Sequence, residues 1–196
     1  MTIDSKLVSR RIKRDIWPRL RALAFDHFTG RTAWRHRDRR IDVVNFQSFN
    51  RYLADGVGCT TFSFSVNLGC FVPFLPGYSP RPVQQKNGVL LPQEYECQFR
   101  RRLQKTILQP ELRRIDTWFI GPNGEYLTES IDDVLQLFER EAIPWFERFS
   151  DDRELIRTLA EDEEGETWGF GAKQSPRRRE LLSSLQSGEH HPQQLL

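Results

Sequence analysis

Cysteine and histidine are scarce in this chain of 196 residues, with three copies of the first and four of the second. Cys59, Cys70 and Cys97 are odd in number, widely spaced and without a CxxC pair, which argues against a disulfide framework and a zinc site. Of the histidines, His190 and His191 stand near the carboxyl end, leaving His27 and His36 as candidate acid–base groups. No run of about 18 apolar residues could span a bilayer, and residues 1–14 carry charge without the apolar stretch of a signal peptide. The expectation is a cytoplasmic protein with no membrane contact. Phosphate-cradling and dinucleotide glycine patterns, HExxH and GxSxG are all missing. Asp132-Asp133 and Asp151-Asp152 fall where helix amino ends favour negative charge, so they are not read as metal ligands. No metal and no cofactor is expected, and the balance is against an enzyme.

Bulky apolar material, in contrast, is plentiful. Fourteen Phe, five Trp and four Tyr can fill one core, and a chain of this length is most simply one domain with a tail. We expect an α+β domain over residues 1–160, an acidic linker and helix over 161–186, and a disordered tail over 187–196. Charge is distributed unevenly. Residues 9–40 carry eleven Lys or Arg against three Asp, whereas residues 125–166 carry fifteen acids against four Arg. Such blocks are either complementary surfaces of one fold or marks of a charged partner.

Residues 4–28 show the amphipathic helical pattern Leu7, Val8, Ile12, Ile16, Leu20, Leu23, Ala24, with a break expected at Pro18 and basic residues on the other faces. Three strands follow, over 31–37, 41–50 and 60–72. The third has the cleanest alternation, Phe62, Phe64, Val66, Leu68, Cys70 and Val72 against Thr61, Ser63, Ser65, Asn67 and Gly69. Residues 55–58 read as a turn, and residues 73–92, with five prolines, as a long loop. A fourth strand is expected over 94–103 and a fifth over 115–120. Helical period returns after Gly124, capped by Thr128 or Ser130, with an interruption at Pro144 and further helices over 153–160 and from Pro176. The fold class is therefore α+β, an antiparallel sheet of about five strands with an amino-terminal helix and carboxy-terminal helices packed on it.

If these strands share one sheet, the side away from the core collects Arg31, Arg35 and Arg37, Asn45 and Gln47, Ser63, Ser65 and Asn67, and Gln98, Arg100 and Arg102. Guanidinium forks suit phosphates and carboxylates and amides add orientation, so this set is the candidate binding face for a protein or an anionic ligand. An antiparallel sheet with one wet face would look the same, and acidic helices laid over that face would make the set structural.

The stretch 25–35 (FDHFTGRTAWR), Asn45-Phe46-Gln47, the run 64–71 (FSVNLGCF), Cys97, Arg102-Leu103 and Trp118, followed by helical residues to Trp145, resemble a bacterial family of domains of unknown function, number 4304 in its series. The likeness covers roughly residues 10–150 and implies a compact α+β domain with no established activity. Three functions follow as expectations. The first is a non-catalytic binding module using the Arg-rich sheet face, the second nucleic-acid binding through the basic amino-terminal helix and first strand, and the third an enzyme using Arg and His36 on an anionic small molecule.

Overall fold

The computed structural model describes residues 5–75, 83, 85–161 and 176–187. The amino-terminal run begins as α1 (Ser5–Arg11), widens into a π-turn (Ile12–Ile16) and continues as α2 (Trp17–Ala22). Next come β1 (His27–Thr29), β2 (Thr32–Arg37), β3 (Arg40–Ser48), α3 (Arg51–Val57) and β4 (Phe64–Phe71). A small hairpin, β5 (Gln85–Lys86) and β6 (Val89–Leu90), precedes a 3-10 turn (Glu94–Glu96) and β7 (Phe99–Arg102). The carboxyl part is helical: α4 (Leu127–Leu137), a second π-turn (Phe138–Ala142), α5 (Ile143–Glu147), α6 (Asp152–Glu161) and α7 (Pro176–Ser187). The strands form a five-stranded antiparallel sheet in the order β1-β2-β3-β4-β7, and the fold is α+β as expected. Among the described residues, no helix is long and apolar enough to cross a membrane.

Both π-turns end two residues before a proline. Trp17 donates its N–H to Ile12 O ahead of Pro18, and Ile143 to Phe138 O ahead of Pro144. Proline brings no N–H and its ring crowds the carbonyl four residues back, so the helix takes one wide turn there and carries on. The extra residue also explains the burial pattern. Val8, Ile12, Ile16 and Leu20 recur every fourth residue, too slow for 3.6 per turn, yet all four are buried.

The chain divides into two compact units, Met1–Ala33 with Val44–Asn67 and Arg102–Ile143, and Trp34–Val43 with Leu68–Arg101 and Pro144–Leu196. In the first, the Phe46 ring is the meeting point, with Trp17, Phe64 and Phe138 at centroid distances of 5.5, 6.0 and 6.3 Å. Trp118 stacks on Phe64 at 5.7 Å. In the second, Trp34, Ile41, Val43, Phe71, Leu91 and Cys97 form the core cluster, and Trp34 Nε1 donates to Pro92 O at 2.8 Å.

Several expected elements are corrected. Residues 115–120 form no strand: only Trp118 bridges to Phe64, and the fifth strand is β1. The start of the expected 94–103 strand is the 3-10 turn, held by reciprocal bonds between Gln93 and Glu96, whose carboxylate takes the Gln93 N–H at 2.7 Å. The turn at 55–58 is the end of α3, which starts at an Asn50 side-chain cap and stops where Gly58 adopts φ 76°. Within the expected loop, Asn87 and Gly88 at φ 52° and 78° turn the β5–β6 hairpin. Neither Thr128 nor Ser130 caps α4, which starts after Tyr126 at φ 67°. The acidic run beyond Glu161, Ser175 and the tail beyond Ser187 lie outside the described residues.

Gly69 has no room for a side chain. An added Cβ would lie 2.6 Å from Cys97 Sγ and 3.0 Å from its Cβ. Gly69→Ala should therefore lower stability by about 1–3 kcal/mol, read as a drop in the urea midpoint, and Cys97→Ala in the same chain should restore part of it.

Candidate functional site

Of the sheet residues expected on a solvated face, Arg35, Ser63, Ser65, Asn67 and Gln98 are buried and the other six half-buried, and all eight positions of β4 are buried. In the first unit, Ser65 Oγ meets Thr117 Oγ1 at 3.0 Å, and Ser63 Oγ takes the Ile120 N–H at 3.1 Å. Asn67 donates to Gln47 Oε1 at 3.0 Å and accepts from Arg102 Nε at 2.8 Å; Arg102 also reaches Asp116 at 2.8 Å. Asn45 donates to Thr32 Oγ1, and Arg31 Nε to Ser9 Oγ, where burial pushes the Arg31 pKa down. Nonperiodic chain around Thr117 and Ile120 thus lies where the alternation of 60–72 suggested water.

Asp116 receives both Arg114 and Arg102. The hydrogen bonds from Arg114 hold its pKa well below the ordinary carboxylate range, with burial opposing and Arg102 adding to the pull. Further along, buried Asp133 accepts from Trp118 Nε1 at 2.8 Å, from Thr106 N at 3.1 Å and from Thr106 Oγ1. This aspartate is a pin between α4 and the Trp118 segment.

In the second unit, Asp42 on β3 has no exposed surface. Arg35 Nε donates to its Oδ2 at 2.7 Å and Arg37 Nη2 to its Oδ1 at 2.8 Å. Both arginines, carried by β2, go on to Glu147 on α5 at 2.9 and 3.4 Å. Burial pushes the Asp42 pKa up against the pull of Arg37 and Arg35, so the carboxylate depends on that pair of guanidiniums. Gln98 accepts the Val72 N–H at 2.8 Å and donates to Val72 O, while Arg100 grips Glu94 with two bonds. A cleft of about 350 Å³ is lined by Arg37, Asp38, Arg39, Arg40, Ser150, Asp151 and Asp152. Across it Arg39 and Arg40 both hold Asp152, whose pKa burial raises and the two arginines lower further, to a net fall.

His36 Nε2 donates to Leu90 O at 2.8 Å, and His27 Nδ1 lies 3.3 Å from the exposed Asp26 carboxylate. Each of the eleven sheet residues is thus hydrogen-bonded within the chain.

Cations facing solvent occur instead along the amino-terminal run, where Lys6, Arg10, Lys13, Arg14, Arg19 and Arg21 are exposed. Arg14 is engaged by Asp15 and Arg19 by Glu139. Lys6, Arg10 and Lys13 have no ion-pair partner among the described residues. The helical period of 4–28 already implied this, since a helix that buries Val8, Ile12, Ile16 and Leu20 must turn its charges outward.

The family model for a domain of unknown function, DUF4304, matches residues 16–148, more than half of the chain. The chain belongs to the DUF4304 family. No curated protein and no solved structure matches it. The DUF4304 region contains Asp42, its two arginines, Glu147, Asp116 and Asp133, whereas Lys6, Arg10, Lys13 and Arg14 precede it.

Removing the Asp42 carboxylate would leave two arginines without their buried counter-charge. Asp42→Ala should cost about 3–5 kcal/mol in chemical denaturation, far more than Asp38→Ala on the exposed turn between β2 and β3. For Asp116, a folded pKa below the unfolded one means stability that is fully present above about pH 4 and lost as pH falls through the folded value. The difference in urea midpoint between wild type and Asp116→Asn should accordingly be constant near neutrality and shrink on acidification below about pH 4.

Proposed function

We propose that this DUF4304 protein is a non-catalytic binding module for a polyanionic partner, contacted through the solvent side of the amino-terminal helical run. One contrast carries the reading. Arg35, Arg37, Arg100 and Arg102 on the sheet are each engaged by a carboxylate of the same chain, while Lys6, Arg10 and Lys13 stand exposed on consecutive helical turns. A cation already held by an internal carboxylate must break that pair to bind a ligand, and an exposed lysine or arginine gives up only water and counterions. The polar sheet residues then serve as the frame that holds the module together.

Retention on heparin resin tests this. At about 50 mM salt, where screening between surface charges is weak, the wild-type protein should bind and elute as salt rises. The Lys6→Glu/Arg10→Glu/Lys13→Glu variant, altered only at exposed positions, should elute at clearly lower salt with an unchanged circular dichroism spectrum. Wild-type protein passing straight through would end the proposal.

A further inference from the structure

We infer that the polyanion is a single-stranded nucleic acid, its phosphates following Lys6, Arg10 and Lys13 and one of its bases stacking on Arg21. This rests on the reading above that the amino-terminal run is the contact surface, and adds a feature that charge alone does not supply. Arg21 lies over the Phe28 ring, with Cζ 4.5 Å from the centroid, and Phe28 in turn packs on buried Trp17 at 5.4 Å. The guanidinium is thus backed by the Phe28 ring, which Trp17 braces at an interplanar angle of 50°. It is exposed and has no ion-pair partner among the described residues. A guanidinium with one face on a ring keeps the other for a second flat group, and nucleic-acid bases stack on such planes.

The π-turn brings this platform into line with the cations. Lys6, Arg10 and Lys13 follow one another at four and three residues, one cation per turn of about 5.4 Å. Two ordinary turns beyond Lys13 would arrive at Leu20, which is buried. One extra residue in the wide turn makes it Arg21 instead. Asp15 engages Arg11 and Arg14, and Glu139 engages Arg19, so the cations of the run without an ion pair among the described residues are Lys6, Arg10, Lys13 and Arg21. A duplex hides its base faces within the stack, and polyphosphate or an acidic peptide has none. A flexible single strand offers both a charged backbone and a π-face, the combination that unspecific single-strand binders use.

Fluorescence anisotropy of the full chain with labelled 20-nucleotide oligothymidylate, an abasic strand of equal length, a duplex and polyglutamate separates the cases. Oligothymidylate should bind about tenfold more tightly than the abasic strand, and Arg21→Lys, which keeps the charge and loses the plane, should abolish that difference. Lys13→Gln should weaken both strands alike and flatten the salt dependence by about one ion. Equal binding of the abasic strand, or a duplex bound more tightly than oligothymidylate, would overturn the stacking inference while leaving the polyanion reading intact. Tighter binding of polyglutamate would assign the surface to an acidic protein, and no binding to any of the four would defeat both readings.

Discussion

A buried carboxylate governs how this protein uses its arginines. Asp42 sits near the start of β3 with no access to water, and a charge there is tolerated only if guanidiniums replace the lost hydration. Arg35 and Arg37 do so from β2, and because each has donors left over, they also tie Glu147 of α5 to the same point. Once these side chains are committed, the second unit's strands have no spare cation to offer at this position. In the first unit the same logic operates at Arg102, committed to Asn67 and Asp116. Among the basic side chains that no carboxylate of the described residues reaches are Lys6, Arg10, Lys13 and Arg21 on the amino-terminal run.

The prolines act through the helices that carry them. Pro18 and Pro144 each force a wide turn, and each wide turn shifts the helical register by one residue. At the first, this keeps Leu20 in the core and turns Arg21 outward; the ring of Trp17 meets Phe46, which Phe138 also touches from the start of the second wide turn. A feature that looks like helix damage in the sequence therefore sets both the packing around Phe46 and the face that the run shows to solvent.

Periodicity made the helical run, β2, β3, β4 and the α4 region readable before any coordinates, because each buries one side and repeats at its own period. It could not show what covers the other side. Ser63, Ser65 and Asn67 have the small polar character of a wet face, but Thr117, Ile120 and Gln47 satisfy them, and the Thr117 and Ile120 segment has no period to announce itself. Charge was readable and its pairing was not: Arg35 with Asp42 and Glu147, or Arg102 with Asp116, joins residues whose proximity only the fold creates. The three-residue β1 was too short to stand out, whereas α3 carried signals that were present and misread, Asn50 at its start and Gly58 at its end.

Arg35, Arg37 and Arg102 are held by carboxylates of the chain, whereas Arg10 and Arg21 are exposed without an ion pair among the described residues, and the proposed contact surface rests on that contrast. Nitrogen-15 NMR of the arginine Nε–H groups during titration with oligothymidylate tests it most directly. The account predicts that Arg10 and Arg21 shift, with Arg35, Arg37 and Arg102 unmoved and slow to exchange with water. Shifts at Arg35, Arg37 or Arg102 with Arg10 and Arg21 unchanged would contradict it.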